Sequence, residues 1–189
     1  MSLRFPSPVF LFSGLAHYHF LSSAGGNLSA YNFSNRMFPH PADRANYRYP
    51  WDGLLQAHGV VPDDEIHNPQ HLDAHGEKCL PVVKNGLATG TTVGRVNALE
   101  SFTRTYGENG CKQTSIEIAV LGHDARRKFS DFGDSGSIVL SRDGRIVGIL
   151  TGGAGPPDQI DISYLTPYWW VEREIKAKYP DCFLYQVIE

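Results

Sequence analysis

The segment Phe132-Gly133-Asp134-Ser135-Gly136-Ser137-Ile138-Val139 decides how the rest of the chain is read. A serine is a poor nucleophile unless its hydroxyl is presented on a tight turn beside a base. Gly133 and Gly136 permit the backbone angles such a turn requires. The amide N–H groups of Ser135 and Gly133 can then converge where the oxygen of a tetrahedral intermediate would carry its charge. Asp134 is expected to accept the hydrogen bonds that hold the turn. The plain alternative is an ordinary loop, since Gly, Asp and Ser all favour turns. A chance Gly-Asp-Ser-Gly in a chain of average composition is on the order of a per cent or less. Its place directly before an apolar strand and a hairpin lowers that chance further.

Working outward, the text on both sides reads as short strands. Residues 80–84 form an apolar run closed by Asn85-Gly86, a turn signal. Residues 91–99 follow, with Gly94 marking a bulge or a close approach. Ile116, Ile118 and Val120 alternate with Glu117 and Ala119, the period of a half-buried strand. Residues 137–140 and 145–150 flank Arg142-Asp143-Gly144, a hairpin. Residues 160–165 make a sixth strand. A helix then begins, with Thr166 as its expected cap and Pro167 in its first position. It carries Tyr168, Val171 and Ile175 on one face, and Pro180 stops it. Six antiparallel strands and a terminal helix predict an all-β domain, a small Greek-key barrel.

Before Cys79 the text changes. Those 78 residues hold Pro39, Pro41, Pro50, Pro62 and Pro69 and seven of the eight histidines. They read as largely irregular, with one short helix expected near residues 51–58. The organisation expected is a poorly matched segment 1–32, a linker-like segment 33–78, and the barrel with its helix over 79–189. The 189 residues, 41% hydrophobic and 12% aromatic, exclude a collagen-like, coiled-coil or wholly disordered chain. No apolar run is long enough to span a membrane. A net charge of −3 without a basic stripe argues against nucleic acid as a partner. Cys79, Cys111 and Cys182 are too few and too odd for a disulfide framework, which favours an intracellular, reducing compartment. The apolar stretch around Val9, Phe10, Leu11 and Phe12 is a weak signal-peptide candidate, interrupted by His17 and His19. The tripeptides at Asn27 and Asn32 would matter as glycosylation sites only in a secreted chain.

Gly133-Asp134-Ser135-Gly136-Ser137, followed by Ile146 to Gly153, resembles the nucleophile strand and the next strand of chymotrypsin-like serine proteases. Lys84-Asn85-Gly86 with the run from Thr89 to Val96 is similar to the first strand pair of the second barrel in that superfamily. Residues 33–184 also resemble the C-terminal part of large, uncharacterised fungal proteins with a trypsin-like domain. The resemblance implies Ser135 as nucleophile, with Gly133 and Ser135 as the oxyanion hole. It implies Thr151, Gly152 and Gly153 as the extended segment that pairs with substrate backbone. Phe129, six residues before Ser135, would lie near the floor of the primary specificity pocket, without a carboxylate there. Asp131 is close enough to leave that preference open, and it stands where trypsins place a disulfide cysteine.

A serine–histidine–aspartate mechanism also needs an imidazole and a carboxylate. In this superfamily they precede the serine, on a first barrel. Six strands with connections need roughly 70–100 residues, and the text before Cys79 does not read as strands. Leu15-Ala16-His17 is the nearest match to the expected histidine turn, and His123 falls in a loop before Ser135. Asp43, Asp52, Asp63 and Asp64 lie in loop-like text, so no His and Asp are matched. The chain is therefore expected to begin inside a larger protease and to bare the apolar face that met the missing half.

Three other clusters compete for attention. His67, His71, His75 and Cys79 are spaced by four and would form a zinc set on one helical face. Pro69, Gly76 and the lack of an apolar face favour a solvated linker instead. Tyr168-Trp169-Trp170 reads as packing for the terminal helix rather than a ligand platform. Arg126-Arg127-Lys128 reads as a solvated loop, with contact to acidic substrate residues or processing as weaker alternatives. The functional expectation is a serine endopeptidase-like domain that hydrolyses peptide bonds through Ser135 and is inactive alone. The alternative is a non-catalytic peptide-binding module. The expected partners are a peptide or protein substrate and a chain carrying the first barrel, with no metal or organic cofactor.

Overall fold

The computed structural model describes residues 17–19, 28–50, 53–107, 110, 112–123, 127–155, 162–182 and 184. The elements run β1 (His17–His19), α1 (Ala30–Met37), α2 (Pro41–Asn46), β2 (Leu54–Gln56), α3 (Asp63–His67) and β3 (His71–Leu72). They continue as β4 (Lys78–Gly86), β5 (Gly90–Tyr106), β6 (Lys112–Gly122), β7 (Ile138–Ser141), β8 (Ile146–Ala154), β9 (Ile162–Pro167) and α4 (Tyr168–Lys178).

The main sheet has the order β3-β4-β5-β6-β9-β8-β7, and β4 also pairs with β7. That last pairing closes β4, β5, β6, β9, β8 and β7 into a six-stranded antiparallel barrel with Greek-key connectivity. A C-terminal helix follows the barrel, and all six expected strands are in it. The connections follow local chemistry. Gly86 pairs with Gly90 where the β4–β5 hairpin turns. Gly144, at φ +89°, closes the β7–β8 hairpin, and its N–H donates to the Ser141 carbonyl. Gly94 is a close approach: a Cβ there would lie 2.7 Å from both the Phe129 ring and Val120. The irregularity in β5 comes later, between Val96 and Glu100, where Ala98 takes φ +70°. Beyond it β5 and β6 run on together to the pair Tyr106–Lys112, well past the expected strand ends.

The barrel interior is filled by Leu80, Val82, Val96, Ile118, Val120, Phe129, Val139, Val147, Leu150 and Leu165. A lone barrel was expected to bare an apolar face. One face, built from Val83, Val93, Ile138, Leu140 and Ile146, is instead covered by Leu28, Phe33, Met37, Phe38 and Leu55. Phe33 and Met37 are fully buried and lie four apart on α1, so they share one helix face. Ser29 caps that helix, its Oγ accepting from Asn32 N at 3.2 Å. The expected helix near 51–58 is replaced by β2, which pairs with β1 across Tyr18–Leu55; Trp51 and Asp52 lie outside the described residues. The chain then runs beside β8. Val61 N donates to Ile146 O at 2.9 Å and Ile146 N to Gly59 O at 3.1 Å. Arg145 fixes this crossing with a two-pronged pair to Glu65 at 2.6 and 2.7 Å.

Two further expectations change. Thr166 does not cap α4. It remains in the β8–β9 ladder opposite Ile149, and its hydroxyl donates to Glu117 Oε2 at 3.0 Å. Pro167 holds the cap position. Tyr168 is buried and Trp169 packs on the barrel core, while Trp170 is exposed. His67, His71, His75 and Cys79 fall on α3, β3, a turn and β4, so the single helical face that a zinc set would need does not form.

If α1 is part of the core, Phe33→Ala should cost about 3–5 kcal/mol in urea unfolding. A loss of the size seen at exposed positions would show that the helix merely lies on the barrel.

Candidate active site

Ser135 sits between the end of the barrel wall and β7, on a turn with two positive-φ glycines. Gly133 is at φ +100° and Gly136 at φ +88°, angles that a side chain would strain. The turn is stitched to its surroundings. Asp134 N donates to Asp131 O at 3.1 Å and Ser137 N to Asp134 O at 3.0 Å. Gly136 N donates to Leu150 O at 2.8 Å, and Leu150 N to Ser137 O at 2.9 Å. Ser137 Oγ donates to Asp134 O at 2.6 Å. Among the described residues nothing accepts from the amides of Gly133 or Ser135. The Ser135 side chain is exposed, and no described residue bonds its hydroxyl. A turn that uses its other N–H groups and leaves these two available can offer them to an anionic oxygen beside the serine.

The turn is locked from below. The Asp134 carboxylate is fully buried and accepts from Ala88 N at 2.8 Å, Thr89 N at 3.2 Å and Thr89 Oγ1 at 2.6 Å. It also accepts from Asp131 N at 3.1 Å and pairs with Lys84 Nζ at 3.1 Å. Lys84 continues the inward alternation of Leu80 and Val82, so its ammonium ends inside the barrel mouth. There it has no solvent exposure and lies 5.7 Å from the Phe129 ring centre. Nζ donates further to Thr89 Oγ1 at 2.5 Å and Gly90 O at 3.3 Å. Gly86 makes room for the pair, because a Cβ there would overlap the Asp134 carboxylate.

Both groups titrate away from their ordinary values. Burial alone would raise Asp134, but hydrogen bonds from Thr89, Asp131, Lys84 and Ala88 outweigh it and lower its pKa to about 2. Burial lowers Lys84, and Asp134 opposes that shift. A buried pair of this kind is a poor source of net stability, yet removing one partner leaves a bare charge.

The segment expected to meet substrate backbone lies next to this turn. The β7–β8 ladder reaches Ile138–Ile149, and Leu150 is then bonded to the turn itself. Among the described residues, Thr151, Gly152 and Gly153 beyond it have strand partners on the β9 side, and Thr151 Oγ1 also lies 3.5 Å from Glu117 Oε2. Among the described residues nothing pairs with their other edge, on the side of the Ser135 turn. Thr151 is the extra residue where the β8–β9 register shifts, and its Oγ1 donates to Tyr164 O at 3.2 Å. Phe129, in contrast, is fully buried in the barrel interior, and its carbonyl accepts from Thr92 Oγ1 at 2.6 Å. Asp131 is exposed and orders the loop, accepting from Phe132 N at 2.9 Å. Phe132 itself is 99% exposed, an apolar lip beside Gly133.

No described histidine bonds Ser135. His58 Nε2 bonds Asp143 O at 2.6 Å, and His67 pairs with Asp63 and Glu100. His123 lines a groove with Arg36 on the outside of β5. The side chains of His17 and His19 lie outside what the structure describes. The sequence reading placed Lys84, Gly86 and Thr89 in a strand pair and missed their part in holding the Asp134 carboxylate. A lysine at an inward-facing strand position was the available signal.

No protein-family model and no curated protein matches the chain. Solved structures do. The chain is similar to a chymotrypsin of Cellulomonas bogoriensis, at 19% identity and a TM-score of 0.40, over 66% of this chain and 52% of that one. It thus spans about half the length of that enzyme. The fold assignment rests on the strand order and closure of the barrel itself.

Lys84→Met should destabilise the domain by about 3–5 kcal/mol, because Asp134 stays buried and charged. Lys84→Met combined with Asp134→Asn should lose less than Lys84→Met alone. Equal losses in chemical unfolding would show that the two groups do not interact. The folded pKa of Asp134 lies below its ordinary 3.8, so its contribution is present above that value and lost as pH falls toward about 2. Acid unfolding should therefore be shallower in Asp134→Asn across that window, and an unchanged slope would contradict the assignment.

Proposed function

We propose that this chain is a serine peptidase-like unit in which Ser135 is the nucleophile and the amides of Gly133 and Ser135 receive the oxyanion. The observation that supports this most directly is the pair of unclaimed amides flanking an exposed serine on a turn fixed by a buried carboxylate. In this reading Ser135 Oγ attacks a peptide carbonyl, and the negative oxygen moves toward the two N–H groups. Each such donor is worth about 3 kcal/mol of transition-state stabilisation. The open edge of Thr151, Gly152 and Gly153 holds the substrate extended, as an added strand. The proton of Ser135 goes to a histidine oriented by a carboxylate, supplied by a chain or segment beyond the described residues. Without that base the serine stays protonated and slow. The finer likeness to large fungal proteins with a trypsin-like domain rests on the sequence alone.

A second reading is favoured by the open edge on its own. That edge needs no base to bind peptide, so the domain can serve as a non-catalytic peptide-binding module.

Two measurements separate these readings. A serine-directed fluorophosphonate should label this chain alone no faster than Ser135→Ala. Strong Ser135-dependent labelling would mean that the base lies within the chain. Extended peptides titrated into isotope-labelled protein should shift the amide resonances of Gly133, Ser135 and Thr151 to Gly153. Shifts that leave out Gly133 and Ser135 would favour the binding module, and no shifts at all would count against both.

A further inference from the structure

The hairpin of β5 and β6 outruns the barrel. β4 accompanies β5 only as far as Val96, and β9 accompanies β6 only as far as Ile118. From Glu100–Ile118 to Tyr106–Lys112 the two strands pair with each other in seven successive pairs. A two-stranded hairpin standing alone in water is marginally stable and needs something against its apolar face. Residues directly opposite each other share a face, and the two faces of this arm differ. One carries Thr103 and Ser115, whose hydroxyls bond each other at 2.6 Å. The other carries the opposed pair Phe102 and Ile116, 74% and 49% exposed. It is the face of Ile118 and Val120, which fill the barrel interior, so the inward alternation of β6 runs out past the rim at Ile116. Four of the ten large apolar side chains exposed among the described residues, Leu99, Phe102, Tyr106 and Ile116, fall on these two strands. Such a concentration marks an interaction surface rather than scattered exposure.

The charges on this face are set evenly about Phe102. Glu100 stands two residues before it and Arg104 two residues after it, so all three project from the same side. Both charged side chains are exposed. Glu100 bonds His67 Nε2 of α3 through Oε1 at 3.1 Å, and among the described residues its other oxygen takes no bond. A carboxylate accepts at both oxygens. Arg104 lies 5.4 Å over the Tyr106 ring, and among the described residues it meets no carboxylate. Lys112, opposite Tyr106, lies at the far end of the face. All of these groups are on the paired strands, short of the loop that joins them. A twofold axis between two such faces, crossing the strands at Phe102 and Ile116, reverses the strand direction. It stacks Phe102 on Phe102 and Ile116 on Ile116, and it sets Glu100 of each copy against Arg104 of the other. Sheets stacked about 10 Å apart let such side chains meet.

We infer that this chain forms a twofold dimer through the apolar face of the projecting β5–β6 hairpin, with Phe102 and Ile116 at the centre and a Glu100–Arg104 pair on either side. The occupant is a second copy because the face is complementary to itself, as an isologous contact requires. One sign of charge lies on each side of the apolar centre, at equal spacing along one strand. Association through this arm uses none of the residues around Ser135 and does not depend on the nucleophile reading.

Sedimentation velocity over a concentration series tests the inference. The wild-type chain should pass from monomer to dimer as concentration rises. Phe102→Ser with Ile116→Ser should raise the dissociation constant at least about tenfold. Glu100→Arg or Arg104→Glu alone should weaken association, because like charges then meet across the axis. The two charge reversals combined should restore association toward wild type. That recovery cannot come from the His67 bond, which Glu100→Arg removes in the single and the combined variant alike. Tyr31→Ser, at an exposed position on α1, should leave association unchanged. Thermal unfolding of each variant separates lost association from lost fold. A monomer at every concentration would overturn the inference, as would a dimer that survives Phe102→Ser with Ile116→Ser. So would assembly beyond the dimer, which marks edge-to-edge strand pairing that does not close. A combined charge reversal that associates no better than the single variants would also overturn it.

Discussion

One carboxylate, that of Asp134, fixes the geometry around Ser135. It accepts from three backbone amides, one hydroxyl and one ammonium, all in a space closed to solvent. Those donors come from the β4–β5 hairpin, from β4 itself and from the loop before the turn. A carboxylate so placed cannot move without leaving buried donors unmatched, so the peptide units on either side of it are fixed too. The amides of Gly133 and Ser135 therefore keep their direction without any ligand present. Lys84 makes the arrangement electrically tolerable, because an isolated carboxylate at that depth would take up a proton. Gly86 makes it sterically possible.

The segment before the barrel has a different role. Phe33, Met37 and Phe38 cover an outer face of the barrel, and Arg145 holds the chain at Glu65 where it crosses β8. Arg142 repeats the device nearby, pairing with Asp43 at 2.9 Å and lying over the Phe38 ring. One apolar face of the barrel is thus covered from within this chain.

The barrel was legible because strand signals are local. Alternation in Ile116, Ile118 and Val120 and the Asn85-Gly86 and Asp143-Gly144 turns are written within a few residues. The Ser135 turn was legible for the same reason, since its two glycines and its aspartate are adjacent. Helix α1 was missed although it carries a serine cap and a Phe33–Met37 pair, because its surroundings, rich in Pro and Asn, masked so short a period. Thr166 was misplaced because the end of a strand and the cap of the following helix favour the same residue type. The Lys84–Asp134 pair was invisible because it joins positions 50 residues apart. Only the closure of β4 onto β7 brings them together. Phe129 was placed by resemblance alone, and its side chain is packed in the barrel core.

The central claim is that the buried pair holds the Ser135 turn in place. Amide hydrogen exchange of wild type and Lys84→Met tests it most directly. The account predicts that the amides of Asp134, Gly136 and Ser137 are protected in wild type and lose protection in the variant, while the β8–β9 ladder keeps its own. Unchanged protection across the turn in Lys84→Met would contradict it.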